Sequence, residues 1–222
     1  MPFNDLCSSL WLRLHSHIEK LNTMARIARY DRQSALDKAV VLFWQKGYHN
    51  SSIKQIEHAL DMRPGSIYAA FGSKDGLFLE ALACYVKESG DHLSSHLAKY
   101  TSIIEGFQDY LRDIALACTP GGPMPSRACM VVKTLLETSN THLPINQEVN
   151  RVLDAIEHRL GEVLEQAKSN RELKPDVDCK RLARLLQAQI IGLRSFAQRD
   201  TCAPKVVELG EDMAGILDYY RL

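Results

Sequence analysis

Apolar residues recur at intervals of three and four along most of the chain, which is the pattern of amphipathic α-helices. Between residues 31 and 46 they form one stripe, made of Leu36, Ala39, Val40 and Phe43. Gly47 follows directly, and a glycine in that place is typical of a helix end. No segment shows the strict alternation of a half-buried strand. The pattern therefore predicts an all-α fold.

Three short helical segments follow between residues 51 and 78. Ser51 or Ser52 can cap the first of them, and Ser52 with Gln55 fits a capping box. Proline suits the first position of a helix, so Pro64 predicts the start of a second helix, which ends at Gly72 after two turns. Ile67 and Phe71 are its inward pair, one turn apart. Ser73 caps the third helix.

The rest of the chain continues as helices separated by breakers, namely a Gly- and Pro-rich loop at 119–126, Pro144 and Pro175. The predicted helices are Ile103 to Cys118, Arg127 to Thr138, Ile145 to Asn170, Asp178 to Arg199 and Pro204 to Tyr220. We expect an N-terminal extension at 1–23, a three-helix head at 24–72 and a larger helical domain at 73–222. Either Met24 is the natural start and the preceding segment is disordered, or that segment forms a short helical arm.

Composition excludes several classes of protein. The chain has 222 residues, of which 45% are hydrophobic, enough to form a core. It shows no apolar run long enough to span a bilayer and no secretory leader, so we expect a cytoplasmic protein without a membrane partner. Its six cysteines and eight histidines show no metal-ligand spacing. Neither a metal nor another cofactor is expected, and the chain has no nucleophile–base pair or phosphate loop of an enzyme.

Net charge is zero, but its distribution is uneven. Residues 20–75 hold nine Lys and Arg against five Asp and Glu, and the remaining chain carries the balancing acidic excess. A basic head suits a phosphate backbone, although random scatter of surface charge explains so small a difference equally well.

A two-turn helix held by neighbouring helices is the device that places side chains in a DNA major groove. Gly65 and Ser66 keep its first turn narrow, and Tyr68 should face outward, towards a phosphate or a thymine methyl group. Ser52 and Lys74 lie at helix N-termini, where backbone N–H groups favour phosphate. Arg29 precedes the first helix and can reach an adjacent groove.

The segment DKAVVLFWQKGYHNSSIKQIEHALDMRPGSIYAAFGSKDGLF, residues 37–78, resembles the TetR family of bacterial transcriptional regulators. The matching motif residues are Gly47, Tyr48, Ser51, Ser52, Ile53, Ile67, Tyr68, Phe71, Lys74 and Leu77. The resemblance implies a recognition helix carrying Pro64, Gly65, Ser66, Tyr68, Ala69 and Ala70. It also implies phosphate contacts from Ser51, Ser52 and Lys74.

Two departures from the family pattern concern the recognition helix. Family members often carry Lys where Pro64 stands, and Tyr or His where Ala69 and Ala70 stand. Small side chains there shorten the reach for hydrogen bonds, so readout should depend more on methyl contacts and DNA shape.

The resemblance further implies a homodimer that binds a near-palindromic operator and is released by a small-molecule effector. The expected dimer interface comprises Leu182, Leu186, Gln189, Ile190, Leu193, Met213, Ile216, Leu217 and Tyr220; the alternative is that these stripes pack within one subunit. The expected effector site comprises Phe107, Tyr110, Met130, Lys133, Thr134, Glu137 and His142. Lys133 and Glu137 alternatively form an exposed ion pair one turn apart.

Cys118 and Cys129 flank the Gly- and Pro-rich loop, and RACMVVKTLLE resembles the subgroup of TetR-like repressors that respond to electrophiles or oxidants. The alternative is two buried structural cysteines. For the whole chain we therefore expect a ligand- or oxidant-released repressor. A non-enzymatic helical interaction protein, or an architectural DNA-binding protein without ligand control, stays open as the alternative.

Overall fold

The computed structural model describes residues 32–119, 121–122, 126–199 and 201–222. The expectations for the extension at 1–23, for Met24 as a start and for Arg29 lie outside the described residues. Within the described part of the chain, no helix is both long enough and apolar enough to cross a membrane.

The described residues form nine α-helices and one short 3-10 helix, and they contain no β-strand. In chain order they are α1 (Arg32–Lys46), α2 (Ile53–Leu60), α3 (Pro64–Phe71), α4 (Lys74–Leu97), α5 (Ile103–Ala117), α6 (Met130–Thr138), α7 (Leu143–Ser169), α8 (Cys179–Phe196), α9 (Ala203–Ile216) and the 3-10 helix Leu217–Tyr220. Between residues 173 and 221 there is an isolated antiparallel bridge. The predicted all-α fold is confirmed.

The chain divides into two compact units, and the division falls inside α4, between Tyr85 and Val86. The sequence expectation placed the boundary earlier, at 72/73. The first half of α4 belongs to the core of the N-terminal unit because its aromatic residue Phe78 packs edge-on against Phe43 and Tyr48, with ring centroids 4.9 and 5.1 Å apart. Tyr85 makes a similar contact with Trp44.

The C-terminal unit is built from the later helices around one continuous apolar core. Phe107, Leu111, Leu164, Leu182 and Leu186 are among its buried residues. Helix α9 packs on α5, and α7 packs on α8 and α6. A Cβ atom added at Gly210 of α9 would lie 2.4 Å from the Cβ of Ala115 on α5, so the absence of a side chain permits this close approach.

The starts of two helices differ from the predictions. Cys129 is the N-cap of α6, which therefore begins at Met130 and not at Arg127. Helix α7 begins earlier than predicted, at Leu143, because His142 caps it: the Nδ1 of His142 accepts a hydrogen bond from the backbone N–H of Ile145 at 3.4 Å. Pro144 thus lies in the first turn of the helix, where its missing N–H costs nothing.

The apolar stripes predicted to form the dimer interface serve mainly the core of the single chain. Five of the predicted interface residues are buried in this core: Leu182, Leu186, Leu193, Met213 and Leu217. Contrary to the prediction, their side chains are therefore not available to a partner. The apolar stripe on each helix packs first against neighbouring helices of the same chain. Gln189, Ile190, Ile216 and Tyr220 remain partly exposed.

Candidate nucleic-acid interface

Helices α2 and α3 are joined by a tight turn that orients α3. Asp61 adopts the left-handed conformation, with φ of 54°, and the backbone N–H of Met62 donates to the carbonyl of Glu57 at 3.1 Å. Aspartate tolerates this conformation better than most residues. Pro64 then opens α3, as predicted. The chain therefore reverses within three residues between two short helices, which is a helix-turn-helix arrangement.

Helix α3 is anchored on one side and open on the other. Ile67 and Phe71 are buried, which confirms the predicted inward pair. Pro64, Gly65, Ser66, Tyr68 and Ala69 are exposed, and Ala70 is half-buried. Tyr68 keeps 47% of its surface accessible, as expected for an outward side chain. Gly72 ends the helix with φ of 75°, and its N–H donates to the carbonyl of Tyr68 at 2.8 Å.

The two adjacent serines before α2 have different roles. Ser52 is exposed and completes the predicted capping box: its Oγ accepts from the N–H of Gln55 at 3.4 Å, and the Gln55 side chain accepts from the Ser52 N–H at 2.8 Å. Ser51 is fully buried, and its hydroxyl donates to the carbonyl of Gly47 at 2.6 Å. The structure thus contradicts a phosphate contact from the Ser51 side chain, because that side chain already secures the end of α1.

Lys74 stands at the first residue of α4. Its Nζ lies 4.3 Å from the centroid of the Tyr48 ring, within the range of a cation–π interaction. The hydroxyl of Tyr48 donates to Asp75 at 2.5 Å, and burial together with this hydrogen bond raises the pKa of Tyr48. The predicted phosphate-binding lysine is therefore positioned by a buried tyrosine that stays neutral.

Arg63 is a residue to which sequence reasoning gave no role. It is the exposed N-cap of α3, immediately before the open side of that helix. Its side chain makes no capping hydrogen bond. The signal in the sequence was its position directly before Pro64.

The residues expected at an effector site differ in burial. Phe107, Met130 and Thr134 are buried, and the Thr134 hydroxyl donates to the carbonyl of Met130 at 2.8 Å. Lys133 and Glu137 are partly exposed on the same helix. Burial lowers the pKa of Lys133, and Glu137 acts in the opposite direction.

The two remaining members of that set occupy other surroundings. His142 is engaged as the cap of α7. Tyr110 is half-buried on α5, and burial raises its pKa. The set therefore spans α5, α6 and the start of α7.

The two candidate sensor cysteines also differ. Cys118 is fully buried at the end of α5, where its Sγ lies 3.8 Å from the carbonyl oxygen of Arg127. Cys129 is half-buried at the start of α6. The guanidinium of Arg127 donates to the carbonyl of Ala197 at 2.8 Å.

Comparison with known proteins agrees with this geometry. Residues 35–81 match the family model described as "Bacterial regulatory proteins, tetR family", and residues 108–203 match "Tetracyclin repressor-like, C-terminal domain". The two matches together cover more than half of the chain. The helix-turn-helix and these matches define a DNA-binding transcriptional regulator. The chain belongs to the TetR family of bacterial regulatory proteins.

The sequence identity to individual relatives is low. The chain is 27% identical over 181 residues to the HTH-type transcriptional repressor ComR of Escherichia coli, covering 81% of this chain and 85% of that protein. It is 32% identical over 124 residues to the repressor BdcR of the same organism, covering 56% and 60%. A solved structure of the regulator CifR, a cysteine mutant complexed with 26 bp of operator DNA, aligns with a TM-score of 0.76. It shares 28% identity and covers 86% of this chain and 98% of that chain.

Proposed function

We propose that this protein is a repressor that binds a near-palindromic operator as a dimer, reads the major groove with the exposed side of α3 and leaves the DNA when an effector binds. One observation carries the proposal. The open side of α3 is fixed by the buried Ile67 and Phe71, and it is flanked by the exposed Ser52 before α2 and by the partly exposed start of α4.

The base-reading side is short of hydrogen-bonding groups. Among its exposed residues only Ser66 and Tyr68 carry a side-chain hydroxyl, while Gly65 and Ala69 present backbone and a methyl group. Such a surface suits thymine methyl groups and close approach to the groove floor better than bidentate contacts to guanine. Sequence-dependent DNA shape then supplies a larger share of the specificity.

Phosphate contacts are expected on both sides of α3. Ser52 lies at the N-terminus of α2 and Lys74 at that of α4, where helix dipole and side chain act together on an anion. Arg63 adds a charge directly before α3. Ser52, Arg63 and Lys74 therefore replace Ser51, Ser52 and Lys74 as the expected phosphate contacts.

Selection of random duplex DNA on the purified protein, repeated at several salt concentrations, tests the proposal. We expect enrichment of an inverted repeat and an affinity that falls steeply as salt rises, because phosphate contacts release counterions. Half-sites about one helical turn apart, or a multiple of it, would fit a dimer. Enrichment of no sequence, or binding that is insensitive to salt, would refute operator recognition.

Two matched pairs of variants locate the surface. Gly65→Ala adds a methyl group on the open side of α3, where nothing lies within 4 Å, and should alter operator affinity without unfolding the head. Gly90→Ala, at an exposed position of α4 that is equally open, is the control and should leave affinity unchanged. If Gly65→Ala binds the operator with the same affinity as Gly90→Ala, the base-reading surface does not lie on α3.

Lys74→Gln should weaken binding to all DNA sequences alike and lower the slope of log affinity against log salt by about one. Lys180→Gln is its control, because Lys180 also lies in the first turn of a helix, α8, but outside the proposed interface. An unchanged slope for Lys74→Gln would exclude the proposed phosphate contact.

A dimer is supported by apolar surface that the single chain leaves partly open on α8. Leu185 is 37% exposed, and Gln189 and Ile190 follow it along the helix as partly exposed residues. Leu185→Glu should shift the sedimentation equilibrium towards monomers. Leu136→Glu, at a leucine that is 73% exposed on α6, should not. A wild-type chain that sediments as a monomer at micromolar concentration would refute the dimer.

Effector release is proposed for the part of the C-terminal unit around α6. For a thiol-reactive signal Cys129 is the better candidate, since its side chain is less buried than that of Cys118. Alkylation by N-ethylmaleimide should lower operator affinity in the wild type and in Cys118→Ser but not in Cys129→Ser. Unchanged affinity of the alkylated wild type would exclude thiol control.

A further inference from the structure

A buried histidine and two aspartates meet between α4 and α5 within the C-terminal unit. One ligand atom from each of His96, Asp109 and Asp113 can be chosen so that all three lie within 4.8 Å of one another. The Nε2 of His96 is 3.4 Å from an oxygen of Asp109, and its Nδ1 is 3.4 Å from an oxygen of Asp113.

His96 is the unusual member of this cluster. Its side chain is only 4% exposed, and its Nε2 has no hydrogen-bond partner among the described residues. A buried nitrogen without a hydrogen bond costs about 1–3 kcal/mol, so such an atom is rare unless another ligand satisfies it. The Nε2 atom lies on the side of the ring that faces the Asp109 carboxylate.

The two carboxylates are brought together by helical periodicity. Asp109 and Asp113 are one turn apart on α5, so their negative charges repel each other. Their side chains keep 28% and 24% of their surface exposed, so both carboxylates are partly accessible to an ion in solvent. A cation at this point would relieve the repulsion.

The rings around the cluster restrict the orientation of its ligands. The imidazole of His96 stacks on Tyr100 with centroids 5.4 Å apart and an interplanar angle of 27°. The Tyr100 hydroxyl donates to the same Asp109 oxygen that faces His96. A hydrogen bond from a neighbouring group to a metal-ligating carboxylate is a common feature of metal sites.

We propose that His96, Asp109 and Asp113 bind one divalent cation of the zinc class. In a tetrahedral site with bonds of about 2.1 Å, neighbouring ligand atoms are about 3.4 Å apart, which matches the observed distance from Nε2 to Asp109. One imidazole nitrogen and two carboxylate oxygens suit Zn²⁺ or Co²⁺, and water completes the coordination. Asp113 faces Nδ1 in the structure, so its carboxylate must move towards Nε2 for all three groups to bind one ion.

Metal-free, full-length protein is titrated with Zn²⁺ against a chromophoric chelator and, separately, with Co²⁺ followed by visible absorption. We expect one ion per chain and a Co²⁺ spectrum without thiolate charge-transfer bands, because the ligands are nitrogen and oxygen. Circular dichroism checks the fold of every variant.

The variants His96→Gln and Asp113→Asn should each weaken Zn²⁺ binding by more than about tenfold. Asp113→Asn keeps the size of the side chain and therefore serves if His96→Gln does not fold. His158→Gln is the matched control: His158 also lies near a carboxylate, with its Nε2 3.6 Å from Glu162, but it is exposed and belongs to no three-ligand cluster in the described part of the chain. It should leave Zn²⁺ affinity unchanged.

Three results would overturn the proposal. One is the absence of Zn²⁺ and Co²⁺ uptake. The second is a Co²⁺ spectrum with thiolate bands, since the ion would then bind cysteine. The third is wild-type affinity in Asp113→Asn. None of these results bears on operator binding, because each of them measures metal uptake and not DNA.

Discussion

The contact between α5 and α9 predicts that Gly210 tolerates no side chain. In Gly210→Ala the new Cβ would lie 2.4 Å from the Cβ of Ala115 and 3.9 Å from its Cα. Carbon atoms without a bond between them pack at about 3.5–4.0 Å, so the helices must separate locally by about 1 Å. A methyl group of Ala115 cannot rotate out of the way, and the strain falls on the backbones.

The expected loss follows from two opposing effects. Overpacking of a core costs about 1–3 kcal/mol, and replacing glycine by alanine inside a helix returns about 0.5–1 kcal/mol. Because the clash here involves short, inflexible groups, we expect a net loss of about 1–2 kcal/mol. In a chain of this size that lowers Tm by roughly 2–8 °C.

Thermal and urea unfolding followed by circular dichroism measure the effect. Gly90→Ala provides the control, since an added Cβ there meets nothing within 4 Å, and it should raise Tm slightly. The double variant Ala115→Gly with Gly210→Ala restores one glycine at the contact and should recover most of the loss. A Gly210→Ala variant as stable as Gly90→Ala would show that α5 and α9 do not approach closely at Ala115 and Gly210.

Three further predictions concern single side chains. Ser52→Ala removes one half of the capping box before α2 and should cost about 1 kcal/mol in urea unfolding; no loss would exclude a stabilising cap. Tyr48→Phe leaves the carboxylate of Asp75 without its buried donor and should cost about 1–2 kcal/mol by the same assay, whereas an equally stable variant would show that water replaces the hydroxyl. Burial opposes ionisation of Glu172, but hydrogen bonds from Ser102 and from backbone N–H groups outweigh it and lower the pKa of Glu172. Its ionised form therefore stabilises the fold above the ordinary pKa of a glutamate, and this contribution disappears as pH falls through the lowered value. Glu172→Gln should lower Tm at about pH 7 and narrow the Tm difference from wild type at about pH 3; a Tm difference independent of pH would contradict the linkage.

The sequence determined the helices of the head and their ends because these depend on local chemistry. The capping box of Ser52, the proline at Pro64 and the glycines Gly47 and Gly72 act within one or two turns of the chain. A local signal of this kind needs no knowledge of distant residues. The inward positions of Ile67 and Phe71 followed from helical periodicity in the same way.

Only the tertiary structure decided which side chains are available for function. Ser51 and Ser52 are adjacent and chemically identical, yet one is buried against Gly47 and the other is exposed. The leucines of α8 and α9 form stripes that suit a dimer or a core equally well, and the packing of one chain buries most of them. A hydrophobic stripe indicates that one face of a helix is buried, but it does not indicate which neighbour buries that face.

The cluster at His96 could not be predicted from the sequence for the same reason. No metal-binding motif is visible in the sequence, because its three residues come from two helices and are spaced for helical faces and not for a known motif. Their proximity depends on how α4 and α5 pack, which is a property of many weak contacts summed over the whole C-terminal unit. Local residue order therefore determined the helices and the inward pair of α3, and long-range packing alone brought His96, Asp109 and Asp113 together.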